Sequence, residues 1–184
     1  MLRRTFSKYF KCFLGDEDGS YSVEAALITP ILFMAIMAGY TYFDGYRQSA
    51  SNLKAAYTIG DLISRETRTI NDDYIDSMRD LMSIMVTSGD PVDIRISLVR
   101  WDGRRQRHRV IWSAPRGYPE PLTDANIELY KDELPPMPDN DTLILVETSN
   151  HYVPPFKVGI DPVKLENFIF TRPRFTSFIA GNVS

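Results

Sequence analysis

Apolar residues are unevenly distributed along the chain, and the longest apolar stretch lies near its start. From Ala25 to Phe43 there are 19 residues without a charged side chain, bounded by Glu24 and Asp44. As a helix this stretch spans roughly 29 Å, close to the ~30 Å hydrocarbon core of a bilayer. We therefore predict a transmembrane helix. The alternative is a buried helix of a soluble protein, which would normally have a polar face that this stretch lacks.

The helical pattern continues beyond the uncharged stretch. No proline lies between Asp44 and Thr69, and apolar residues recur there at helical spacing. These residues are Leu53, Tyr57, Ile59, Leu62 and Ile63. The pattern predicts one long helix from about Ser22 to Arg68, with the apolar stripe facing the core. A second helix is predicted from Asp72 to about Val86, with Asn71 as its N-cap.

After Pro91 apolar residues occur at every second position, a pattern that predicts a half-buried strand. Its inward residues are Val92, Ile94, Ile96 and Leu98. Asp102-Gly103 is a turn signal, and we expect a returning strand at His108–Ser113 with Val110 and Trp112 on one face.

Five arginines cluster around the tip of this predicted hairpin: Arg100, Arg104, Arg105, Arg107 and Arg109. We interpret the cluster as a solvated hairpin end. The alternative is a surface that grips an acidic partner, phospholipid headgroups or a nucleic acid, but no aromatic platform accompanies the arginines.

The rest of the chain predicts further strands and little helix. Residues 114–141 hold six prolines and are expected to be irregular, apart from a short helix at about Asp124–Asp132. Two β-forming runs, Thr142–Asn150 and Phe168–Thr171, predict strands. The tail Phe178–Ser184 is expected to form a final edge or a docking segment. The predicted class is α+β, with a long N-terminal helix and a small domain built on a mostly antiparallel sheet.

Charge and composition limit the possible chemistry. The net charge of −3 gives no global reason to bind nucleic acid. Cys12 is the only cysteine, and His108 and His151 lack the spacing of metal ligands, so we expect neither a disulfide nor a metal site. No catalytic motif is present. We therefore expect no enzyme activity, no cofactor and no small-molecule substrate.

The residues before the apolar stretch place a glycine at a short, fixed distance from a carboxylate. Gly19 lies five residues before Glu24. Cleavage after Gly19 would make Ser20 the first residue and Glu24 the fifth. A carboxylate at the start of an apolar helix is costly and usually has a partner. The new amine of Ser20 could neutralise Glu24 of a neighbouring subunit.

The segment Gly19-Ser-Tyr-Ser-Val-Glu-Ala-Ala-Leu-Ile-Thr-Pro30 resembles the start of the TadE-like pseudopilins, minor components of the bacterial Tad/Flp tight-adherence pilus system. The resemblance is specific over residues 15–45 and weaker at 141–156 and 171–175. It implies a pilin-like fold and a structural role in pilus assembly. The partners that it implies are the inner membrane, a prepilin peptidase, other pilins and pseudopilins, and the Tad secretion machinery.

The resemblance also implies how the chain is divided. Residues 1–19 would be a cytoplasmic leader that the peptidase removes, residues 20–43 the transmembrane helix, and residues 44–184 an extracytoplasmic domain. The basic residues agree with this orientation, because four precede the apolar stretch and only Arg47 and Lys54 follow it closely. In a Gram-negative bacterium the domain would lie in the periplasm.

Two alternatives use the same residues differently. In the first, an uncleaved single-pass helix anchors a periplasmic binding or sensory domain, and Glu24 only marks the membrane boundary. In the second, the apolar stretch is a removable signal peptide. Such a peptide has an apolar core of ~7–15 residues and an Ala-x-Ala-like site. The present stretch is longer, and Ala35-Ile-Met-Ala38 has the wrong spacing.

Three residues inside the apolar stretch have expected roles in packing. Pro30 removes a helical hydrogen bond to the carbonyl of Ala26, so we predict a kink or local unwinding there. Ala35 and Gly39 form a small-xxx-small pair that would allow a second helix to approach closely.

Overall fold

The computed structural model describes residues 18–86 and 91–183, without the side chains of residues 18–20. The predicted leader, residues 1–19, therefore lies outside the described part of the chain except for the backbone of its last two residues. Residues 87–90 are also outside it.

The chain divides into two compact units, and the boundary lies within the first helix. One unit contains the helix up to Phe43 together with the loop Pro155–Ile160. The other contains Asp44–Pro154 and Asp161–Ser184.

The first helix, α1, is continuous from Asp18 to Ser64, which confirms the prediction of one long helix. The helix continues through Pro30 without interruption. The helix ends four residues before the predicted end at Arg68. It ends there because the Glu66 carboxylate accepts hydrogen bonds from the N–H groups of Thr67 and Arg68, both 3.0 Å, in place of helical bonds.

The buried side of the second half of α1 differs from the predicted stripe. Leu53, Tyr57 and Leu62 are exposed, and only Ile59 and Ile63 of that stripe are buried. The buried side is built mainly from small and polar residues: Asn52, Ala55, Ala56, Gly60 and Ser64. The prediction was wrong because it counted only large apolar side chains as buried. Where a helix packs closely on a sheet, small side chains fit better between the two.

The second helix, α2, runs from Asp72 to Met85 and confirms the predicted element and its cap. The Asn71 side chain accepts a hydrogen bond of 3.1 Å from the Tyr74 N–H. The most buried residues of α2 are Ile75, Met78 and Met82.

The domain contains the predicted antiparallel sheet. Its four strands are β2 (Asp93–Asp102), β3 (Arg107–Arg116), β4 (Thr142–Tyr152) and β5 (Val163–Thr171), in the order β3-β2-β4-β5. Two further short strands, β1 (Ile70–Asn71) and β6 (Gly181–Asn182), pair in parallel. The tail therefore forms a final edge, one of its two predicted roles.

Both faces of β2 are covered, which overturns the prediction of a half-buried strand. All residues from Ile94 to Val99 in β2 are buried. One face packs in a core with residues of α1 and α2. The other face packs against the proline-rich segment through a second core of Val99, Leu122, Ile127, Leu134, Leu143 and Leu145.

Two local predictions in this region were wrong. The pairing of β2 with β3 shifts between Leu98, opposite Trp112, and Val99, opposite Val110. This bulge puts Val110 and Trp112 in different cores, because the extra residue reverses the alternation of faces. The short helix expected at Asp124–Asp132 is a 3-10 helix at Ile127–Tyr130.

Candidate functional site

The apolar segment of α1 is the most distinctive feature of the chain. This helix is long and apolar enough to cross a membrane, and no residue of its apolar window is buried. Its large side chains are exposed on every side: Leu27, Ile28, Ile31, Leu32, Phe33, Met34 and Ile36. A soluble protein rarely leaves so large an apolar surface in water.

The threonine hydroxyls within this segment are satisfied inside the helix. The Thr29 hydroxyl donates a hydrogen bond of 2.6 Å to the carbonyl of Ala25, and the Thr41 hydroxyl donates one of 2.9 Å to the carbonyl of Met37. Because such a bond to the preceding turn satisfies the hydroxyl, a threonine can lie in the hydrocarbon core of a membrane, which offers no hydrogen-bonding groups. The two threonines are thus as compatible with hydrocarbon as the apolar side chains around them.

Glu24, Ala35 and Gly39 lie on one side of α1. At about 100° per residue, the three positions fall within roughly 60° of each other around the helix axis. Pro30 lies about 240° from Glu24, away from that side. Glu24 is exposed, and a Cβ added to Gly39 would meet no atom within 4 Å. We call the three residues the Glu24 side of the helix.

The predicted cleavage site lies in the first turn of α1. The backbones of Gly19 and Ser20 are helical. Glycine is a poor helix former, and helix ends fray, so this turn opens at little cost.

A second exposed stripe lies on the later part of α1. Tyr46 is 77% exposed, Leu53 43% and Tyr57 58%. Their spacing of seven and four residues puts them on one side of the helix. We call them the Tyr46–Tyr57 stripe. The sequence pattern had assigned Leu53 and Tyr57 to the core, so this surface was missed.

The interior of the domain contains a buried ion pair that the sequence did not reveal. Arg95 Nε and Nη2 donate hydrogen bonds of 2.6 Å each to the two Glu147 carboxylate oxygens, and Nη1 donates one of 3.1 Å to the Glu120 carbonyl. Burial by itself lowers the pKa of Arg95, but the hydrogen bonds and charge of Glu147 raise it above its ordinary value. Arg95 alternates with apolar residues in β2, so it looked like a solvent-facing position.

The arginine-rich hairpin encloses a buried histidine. His108 packs edge-on against Trp101, with ring centres 4.7 Å apart, and burial lowers the pKa of His108. Arg105 and Arg109 lie on the surface, 3.9 Å from Asp102 and 3.7 Å from Asp124. The contacts of the two arginines are thus weak surface ion pairs.

No protein-family model, no curated protein and no solved structure matches this chain. Within residues 18–86 and 91–183, no group of three or more His, Cys, Asp or Glu side chains is placed to hold a metal ion. The resemblance to TadE-like pseudopilins therefore stays a prediction that rests on the sequence.

Proposed function

We propose that the protein is a membrane-anchored assembly subunit of a pilus-like filament, a minor pseudopilin of the TadE-like kind. The observation that carries the proposal is the exposed apolar segment of α1, which begins at a carboxylate, Glu24. The apolar helix is exposed all round from Leu27 to Ile36, and such a surface needs either lipid or the helices of other subunits to cover it. A pilin uses both in turn, first in the membrane and then in the filament.

The Glu24 side explains how subunits would align. No ion pair among the described residues involves Glu24. Once neighbouring helices surround it, an unpaired carboxylate would cost several kcal/mol. The amine of Ser20, created by cleavage after Gly19, is a cation of the right chemistry on an adjacent copy. Ala35 and Gly39 on the same side would let that copy approach closely.

The architecture of the domain supports the same proposal. The later part of α1 packs on an antiparallel sheet, an arrangement that the resemblance to pilins implies. The Tyr46–Tyr57 stripe leaves apolar surface exposed on that helix, beside its buried side. In a filament, this stripe would add to the contacts between neighbouring helices.

The first experiment determines the N-terminus of the protein extracted from membranes, by intact mass and terminal sequencing. We expect Ser20 at the start. We expect Met1 instead in the Gly19→Arg variant and in cells without the prepilin peptidase. Met1 in wild-type cells with an active peptidase would contradict the proposal and favour the uncleaved anchor of a periplasmic binding or sensory domain.

The second experiment separates processing from assembly. We expect Glu24→Ala to be cleaved normally but to reduce filament yield strongly, because the charge pair with the neighbouring amine is lost. Asp44→Asn, at the other end of the apolar stretch, is the matched control and should assemble normally. Normal filament yield from Glu24→Ala would refute the role of Glu24 in alignment.

A further inference from the structure

The loop Pro155–Ile160 packs against the apolar part of α1, although about 115 residues separate the two in sequence. The Phe156 ring meets the Tyr40 ring edge-on, with centres 5.8 Å apart and planes at 68°. The Val158 N–H donates a hydrogen bond of 3.0 Å to the Phe156 carbonyl, which closes a tight turn. Gly159 follows with φ of +86°, a conformation that favours glycine.

The contact with Tyr40 fixes the depth of the loop along the helix. Tyr40 lies three residues before Phe43, the last residue of the uncharged stretch. At ~1.5 Å per residue, Tyr40 is about 4.5 Å inside that end. If residues 25–43 cross the hydrocarbon core, a ring that touches Tyr40 lies at the boundary between hydrocarbon and headgroups.

The side chains of the loop match this boundary. Phe156 is 39% exposed, and Val158 and Ile160 are half-buried. Lys157, between two of these apolar residues, is exposed. Aromatic rings concentrate at the membrane interface, and a lysine can reach lipid phosphates while its stem stays among apolar groups.

We propose that the loop Pro155–Ile160 is a second membrane contact, which places Phe156 in the lipid interface beside α1 and Lys157 at the level of the phosphates. This inference rests on the membrane anchoring in the proposed function. It adds that the chain touches the bilayer at two places far apart in sequence. A subunit that leaves the membrane for a filament must then release the loop as well as the helix.

The test measures the depth of single fluorescent labels on the full-length protein. Cys12 is the only cysteine, so Cys12→Ser provides a cysteine-free background. An environment-sensitive fluorophore is attached to Lys157→Cys, with Ile36→Cys as the reference inside the apolar segment and Leu129→Cys, 82% exposed, as the aqueous reference. The protein is reconstituted into vesicles of phosphatidylethanolamine and phosphatidylglycerol. Quenching by aqueous iodide is compared with quenching by lipids that carry a doxyl group near the top of the acyl chain.

We expect the label at Lys157→Cys to be quenched by the shallow doxyl lipid and several-fold less by iodide than the label at Leu129→Cys. Phe156→Ser should return the Lys157→Cys label to the aqueous pattern, whereas Phe156→Leu should not. An aqueous pattern at Lys157→Cys with a lipid pattern at Ile36→Cys would overturn the loop proposal and leave the anchor intact. An aqueous pattern at both would overturn the anchor too.

Discussion

Removal of the Glu147 carboxylate is the sharpest test of the energetics of the domain. Glu147 and Arg95 are almost fully buried, with side chains 6% and 10% exposed. Arg95 donates two hydrogen bonds of 2.6 Å to the Glu147 carboxylate, the geometry of a bidentate ion pair. Glu147→Ala would leave the buried Arg95 guanidinium with neutral partners alone. These are the Glu120 carbonyl at 3.1 Å, the Tyr130 hydroxyl at 3.5 Å and the Tyr118 ring, whose centre lies 4.8 Å away.

The expected magnitude follows from the cost of an unpaired buried charge. Breaking a buried ion pair by removing one partner costs about 3–5 kcal/mol, a large part of the ~5–15 kcal/mol of a typical domain. Replacing both partners removes the charge problem, so Arg95→Met with Glu147→Leu should lie within about 1 kcal/mol of the wild type or above it. Glu166→Ala is the matched control. Glu166 forms an exposed pair with Lys164, so its loss should cost at most about 1 kcal/mol.

The assay is urea unfolding of the full-length protein in detergent, followed by tryptophan fluorescence. Trp101 and Trp112 are the only tryptophans, and both lie in the domain, so the signal reports on the domain alone. The slope of the free energy against urea should stay constant across the variants. A double variant as unstable as Glu147→Ala would refute the reasoning, because the loss would then come from packing and not from an unpaired charge.

Two further predictions concern pH and backbone contact. Because burial lowers the pKa of His108, the unfolded state binds the proton more readily, so domain stability should fall as pH drops below about 6.5. Urea unfolding curves at several pH values should show that His108→Phe removes this part of the pH dependence and that His151→Gln, at an exposed position, does not. If the unfolding free energy changed equally with pH in both variants, the effect would not come from His108. Gly181→Ala should destabilise the domain by about 1–3 kcal/mol, because its Cβ would lie 2.7 Å from the Trp112 ring. Gly39→Ala, with no atom within 4 Å, is the control in the same urea experiment, and an unchanged midpoint for Gly181→Ala would show that the tail is not held against Trp112.

Features that depend on neighbouring residues could be predicted from the sequence. The uncharged run at 25–43 predicts a helix of membrane length, because length and hydrophobicity are local properties. The cap at Asn71 and the turn at Asp102-Gly103 follow from the chemistry of a few adjacent residues. The motif around Gly19 and Glu24 is equally local, so a candidate site can be proposed from the sequence without the fold.

Features that depend on pairing between distant segments were decided only by the tertiary structure. Arg95 and Glu147 are 52 residues apart, and only the antiparallel register of β2 and β4 brings them opposite each other. The bulge that separates Val110 from Trp112 likewise arises from the pairing of two strands. The contact of Phe156 with Tyr40 likewise joins two segments about 115 residues apart in the chain. Local propensity does not encode such contacts, because their energies depend on partners that the chain meets only after folding.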